Sequence, residues 1–158
     1  MRTSIIAWTV LLSFLPIAEL RGGIPYAMAN GMPVAAAFAL CVLVNMLVAP
    51  IGWLFLATLH RLLLRWRFYA NVFDRLVERA RRKVHQAVER WGYWGLAVFV
   101  AIPLPFTGAW TGILGAWVLG MEWRKSMAAV AAGVLAAGIV VTLVAFFGIR
   151  ALSIFLKT

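Results

Sequence analysis

Four long apolar blocks and one polar stretch make up the pattern of this chain. Residues 33–59, 92–121 and 126–149 contain no Asp, Glu, Lys or Arg. Each run exceeds the roughly 20 apolar residues that carry a helix across about 30 Å of hydrocarbon. The first block, residues 3–32, is interrupted at its centre by Pro16, Glu19, Arg21, Gly22, Gly23 and Pro25. Its charge-free start, residues 3–18, would reach only about 24 Å as a helix. Proline lacks an N–H and clashes one turn back, so no continuous helix is expected from Pro16 through Pro25. The third block is broken in the same way, by Pro103, Pro105, Gly108, Gly112 and Gly115. Blocks two and four predict unbroken spans. The fourth is rich in Ala and Gly over residues 128–138, which lets membrane helices approach backbone to backbone. The fold class is all-α integral membrane.

The polar stretch, residues 60–91, has helical periodicity. Leu62, Trp66, Tyr69, Phe73, Leu76, Ala80, Val84, Val88 and Trp91 recur at intervals of three or four, with the arginines largely on other faces. This predicts an amphipathic arm on the cytoplasmic side, lying on the membrane surface or folded against the spans. Its aromatic stripe reads as packing rather than as a binding box.

The chain also matches itself. Sliding it by 89 residues pairs Pro16 with Pro105, Gly23 with Gly112, Ala27 with Ala116, Gly31 with Gly120, Met32 with Met121 and Ala39 with Ala128. The shared order of broken block, Gly-Met and clean span points to a duplicated unit. The expected organisation is one membrane domain, 1–158. It comprises repeat one (1–59), the cytoplasmic arm (60–91) and repeat two (92–158). Each broken block is either one kinked span or a re-entrant hairpin. The Pro/Gly clusters sit at mid-block, where a hairpin tip would be, and this favours re-entrance. Each half then crosses once, the halves are inverted, and both termini face away from the arm. Irregular backbone at membrane depth must be buried in protein or line a watery cavity, and two apposed tips would make one.

Composition sharpens this picture. Hydrophobic residues make up 65% of the 158 and charged ones only 13%, too few to wet the surface of a soluble domain. A net charge of +10 could suggest nucleic acid, but the basic residues cluster at 61–90 and 124–125 and the aromatics lie in apolar runs. That arrangement follows the positive-inside rule, with anionic lipid headgroups as partner and nucleic acid excluded. The single cysteine, Cys41, cannot form an intramolecular disulfide. The opening Met1-Arg2 and apolar run, with Ala27 and Ala29 as an A-x-A site, resembles a signal peptide. Glu19, Arg21 and two glycines interrupt it before that site, so cleavage is not expected. A multi-pass protein of the plasma (inner) membrane is the expectation.

The stretches ELRGGIP at 19–25 and PLPFTGAWTG at 103–112 resemble the small multidrug export proteins, over nearly the whole chain. More distantly, residues 92–121 look like the second motif region of the DedA superfamily. That likeness implies paired re-entrant hairpins in inverted repeats, and proton-coupled transport of polyprenyl phosphate or other lipids. Phe106 stands where the first family usually has Gly. Thr107 and Thr111 occupy the region where DedA proteins carry an arginine.

Glu19 and Arg21 carry the strongest chemical signal, because ionisable side chains at membrane depth are expensive. A carboxylate in a low-dielectric site can serve proton coupling, and Arg21 offers a forked donor suited to phosphate or carboxylate. The structural alternatives are mutual neutralisation, or Glu19 capping the N–H groups of a half-helix. Thr107 and Thr111, one helical turn apart, could present hydroxyls to a ligand or bond back to carbonyls. Asn45 could bridge helices or face the cavity. The substrate- or proton-binding set is Glu19, Arg21, Gly22, Pro25, Asn45, Pro103, Pro105, Thr107, Gly108 and Thr111. No metal-ligand spacing, nucleophile motif or phosphate loop is present, so neither a cofactor nor an enzyme is expected. The expected function is a proton-linked transporter of a small amphiphile, foremost an anionic, phosphate-bearing lipid. Export of lipophilic cationic drugs and a non-transporting membrane scaffold are the alternatives. Self-association into a homo-oligomer stays open.

Overall fold

The structure is a computed structural model and describes residues 3–58, 67–103 and 107–155. The described residues form helices joined by turns and breaks. In chain order these are α1 (Thr3–Phe14), α2 (Glu19–Ala29), α3 (Val34–Ala57), α4 (Arg67–Ala101), α5 (Ala109–Val118) and α6 (Trp123–Phe155). Two stretches are long and apolar enough to cross a membrane, Val34–Ala57 and Trp123–Ala151. Leu43, Leu47, Leu54, Leu143, Val144 and Phe147 on these helices are exposed, as lipid-facing side chains are.

Both broken blocks fold back as helical hairpins. Ile5 and Ile6 at the start of α1 pack with Ala27 and Met28 at the end of α2 and with Ala37 and Leu40 on α3. In the second half, α4 leaves helical geometry at Gly92 (φ 56°, ψ −131°), and an apolar segment runs on to Ala101. The Tyr93 hydroxyl at its start lies 3.2 Å from the Glu122 N–H, just past the end of α5.

The two short helices that follow the breaks end alike. Where α2 ends, the Gly31 N–H donates to Met28 O (3.1 Å) and the Met32 N–H to Ala27 O (3.0 Å). Where α5 ends, Gly120 donates to Trp117 O (3.1 Å) and Met121 to Ala116 O (3.0 Å). These are two Schellman caps, 89 positions apart, each with its glycine at positive φ (82° and 67°). Only glycine enters that region at little cost, which is why Gly-Met recurs in the sequence.

Between the halves, α2 and α5 each pack against both α3 and α6. The expected close approach of small residues occurs on α6, where a Cβ on Gly133 would lie 2.6 Å from both Ala97 O and Val100 Cβ. The arm does not lie free of the bundle. Ala80 and Val84 are buried, and Val84 fills the space beside Gly115 on α5. Leu76 and Trp91, on the same periodic stripe, remain exposed. The stripe residues 62, 66 and 69 lie outside the described side chains.

Candidate functional site

The two helix breaks meet, and the unpaired backbone groups of each are met by side chains from elsewhere in the bundle. α1 stops at Phe14, leaving its last carbonyls without helical donors. Asn45 Nδ2 on α3 donates to Ser13 O (2.9 Å), and Trp110 Nε1 on α5 donates to Phe14 O (2.7 Å). The Trp110 ring also stands edge-on to Phe14, centroids 5.4 Å apart. At the other break, α5 begins with the free N–H groups of Ala109 and Trp110. Glu19 Oε1 accepts from the Trp110 N–H (3.4 Å), and the Ala109 N–H also points to this carboxylate.

Glu19 therefore takes the second structural role open to it, capping a half-helix, but one belonging to the opposite repeat. It is 6% exposed, and its backbone sits at φ 46°. Left-handed backbone at a non-glycine residue costs on the order of 1 kcal/mol or more, and persists only where the surroundings impose it. Arg21 reaches across as well. Its Nη2 donates to Thr107 O (2.7 Å) and lies 3.4 Å from Thr107 Oγ1, which itself donates to Ile102 O (2.7 Å). Ion pairs between described residues are confined to exposed side chains, and Glu19–Arg21 is not among them.

Gly108 explains the closeness of the contact. A Cβ there would run into the Glu19 carboxylate, whose atoms are the nearest to that point. Glu19 and Gly108 are themselves 89 positions apart, so equivalent positions of the two halves pack on each other. Around this contact lies a cavity of about 10 Å³, lined by Glu19, Leu20, Arg21, Asn45, Gly108 and Ala109 together with Val100, Val134, Ala137 and Val141. That is close to the room one water molecule needs.

The ten residues singled out in the sequence divide accordingly. Glu19, Arg21, Asn45 and Gly108 share the cavity, and Thr107 holds Arg21. Thr107 lies in the break ahead of α5, separated from the helix by the extended backbone of Gly108 (φ −161°, ψ −164°). It thus shares no helical face with Thr111, which is half-buried in the first turn. Gly22 packs against Ala18, and Pro25 sits inside α2, where it leaves the Arg21 carbonyl without its usual donor. Pro103 lies at the start of the second break, and Pro105 lies outside the described residues. Trp110 and Ser13 were not among the ten. Only the aligned repeat, which sets Trp110 opposite Arg21, could have drawn notice to Trp110. A wider surface groove of about 340 Å³, bordered by Trp94, Lys125 and Ala128, holds none of them.

This cross-linked core falls inside the region shared with known sequences. The profile of the small multi-drug export proteins matches residues 19–140, from the capping glutamate into α6. The chain belongs to that family. No curated protein and no solved structure matches it. Two apolar spanning helices in a chain of this family make it a membrane protein, and the family description is that of a transporter.

Proposed function

We propose that the protein is a proton-linked transporter of a small amphiphile carrying a phosphate-type anion, with Glu19 as the proton-carrying group. The carrying observation is the Glu19 carboxylate held on the α5 N-terminus, with Arg21 lining the same cavity. An acid in this place is gripped by backbone dipoles and a nearby guanidinium only while it is charged. Protonation removes the charge, loosens the contact between the halves, and leaves the Ala109 and Trp110 N–H groups to a substrate anion. The ionised carboxylate and the substrate anion then compete for one set of donors, so proton and substrate favour each other's binding, and this links their movements.

The hairpins enter this reading as re-entrant pairs in inverted halves. Helices of 12, 11 and 10 residues in α1, α2 and α5 reach about 15 to 18 Å, roughly half the hydrocarbon thickness. Tips entering from opposite faces would therefore meet where Glu19 meets Gly108. A second reading, export of lipophilic cations, is favoured by the family description. There an ionised Glu19 would pair with the drug, and Arg21 would oppose it.

Proteoliposome flux separates these readings. Glu19→Gln is expected to fold and to lose the pH dependence of transport. Wild-type rates between pH 5.5 and 8, about a unit or more either side of neutrality, would remove Glu19 from the mechanism. Arg21→Lys should bind a polyprenyl phosphate more weakly than wild type, and Arg21→Ala more weakly still, because the fork is lost. Tight binding of a lipophilic cation that survives in Arg21→Ala would replace the anion reading with drug export.

A further inference from the structure

The side chain of Asn45 is half satisfied. It is 1% exposed, and its Nδ2 donates to Ser13 O. A carbonyl can only accept, so this bond fixes the orientation of the amide. The other end, Oδ1, is then an acceptor, and it has no hydrogen-bond partner in the protein. A buried acceptor left bare is costly. Asn45 lines the cavity that also holds Glu19, Arg21 and the start of α5.

The chemistry of the lining restricts what this site accepts. Asn45 Oδ1 and an ionised Glu19 both need donated hydrogens. Arg21 and the N–H groups of Ala109 and Trp110 supply donors at the same place. A metal cation would be opposed by the guanidinium and by the positive end of α5. An apolar occupant would leave Oδ1 bare. The size admits about one small molecule with two donors and two acceptors. Water meets each condition.

We propose that Asn45 and Glu19 hold a single exchangeable water between them, and that this water loads the proton onto Glu19. The inference rests on the proton-carrying role given to Glu19 above. In the loading step, the held water gives one of its own protons to the carboxylate while taking one from a solvent hydronium, so that neutral Glu19 and water remain and no cation rests in the cavity. Asn45 is a positioning residue: its free oxygen holds the water against the acid. The charged side chains lining the cavity are Glu19 and Arg21, both from α2. α3 contributes the neutral Asn45, α4 Val100, α5 its N–H groups, and α6 Val134, Ala137 and Val141.

The test uses water-edited solid-state NMR of the full chain in liposomes, with ¹³C-labelled glutamate. The Glu19 signal is assigned by its disappearance in Glu19→Gln. Glu78, Glu89 and Glu122 are exposed and serve as internal references. Wild type should show rapid magnetisation transfer from water to the Glu19 carboxyl. Ala137→Leu fills the cavity without adding or removing a polar group. It should remove that transfer, slow proton-driven flux severalfold and flatten its pH profile. Ala137→Val, which adds less bulk, gives the same comparison should the leucine variant fail to fold. Asn45→Leu should reproduce the flattened profile. Absence of water transfer to Glu19 in wild type overturns the inference. So does loss of transfer in Ala137→Leu with an unaltered pH profile. The role of Glu19 itself is judged separately, by Glu19→Gln, so the two failures are distinguishable.

Discussion

The two halves of the chain share a backbone plan and divide the chemistry unequally. Both run helix, break, helix, Schellman cap, long helix, with matching cap bonds 89 residues apart. At the cavity they diverge position by position. Glu19 is matched by Gly108, Arg21 by Trp110 and Asn45 by Val134. The first half supplies the charged and amide side chains. The second supplies a glycine, apolar walls and the backbone N–H groups of α5. The repeat builds a scaffold that can be used twice, while the centre has room for the polar groups of one copy. Gly108 shows the reason most directly, because a second side chain there would occupy the volume of the first.

The strongest challenge to this comparison is topological. In a Cys41→Ser background, Ser4→Cys and Gln86→Cys should be labelled by an impermeant thiol reagent from opposite faces of the membrane. Labelling of both from one face would make the halves parallel kinked spans and reject the proposed inversion. Next in size is Gly108→Ala, expected to destabilise the protein by about 3 kcal/mol through overpacking against Glu19. Thermal unfolding in detergent measures it. Because Glu19 supplies the nearest obstructing atoms, Glu19→Ala in the same chain should recover most of the loss, as coupled neighbours do. Two independent losses that simply add would show that the contact between equivalent positions is not what holds the centre together.

The smallest effect tests the shared plan. Gly31→Ala and Gly120→Ala each place a side chain at positive φ, with no neighbour within 4 Å to add a steric cost. Each should lower stability by about 1 kcal/mol, and by nearly the same amount. A large inequality in the unfolding midpoints would mean that the caps are alike in geometry and unlike in what they support.

The pattern of residues made some of this legible. Pro16, Pro103 and Gly108 marked the two breaks, although Gly22, Gly23, Pro25, Gly112 and Gly115 of the same clusters lie inside helices. The Gly-Met read as part of a repeat falls at both caps, because a cap is local and follows from one residue's conformational range. The depth of Glu19 and Arg21 in an apolar block marked them for the same reason. The partners were not legible. Glu19 could equally have faced Arg21, and its actual choice of the Trp110 N–H depends on how two hairpins far apart in sequence come together. Asn45 posed the same difficulty: bridging helices and facing a cavity give identical sequence patterns, and the structure has it do both. For the arm, one apolar stripe suits a lipid surface or a protein one. The contact of Val84 with Gly115 decides it for that turn.

The packing of Glu19 on Gly108 also bears on ancestry. In a symmetric pair of identical subunits, any residue at a self-facing position meets its own copy. Glutamate would then face glutamate, two like charges in a space that holds one, and glycine would face glycine with no acid at all. Joining the copies end to end allows the encoded residues at that point to differ. A solitary buried carboxylate at such a meeting point is therefore something a fused gene can specify and a homodimeric one cannot.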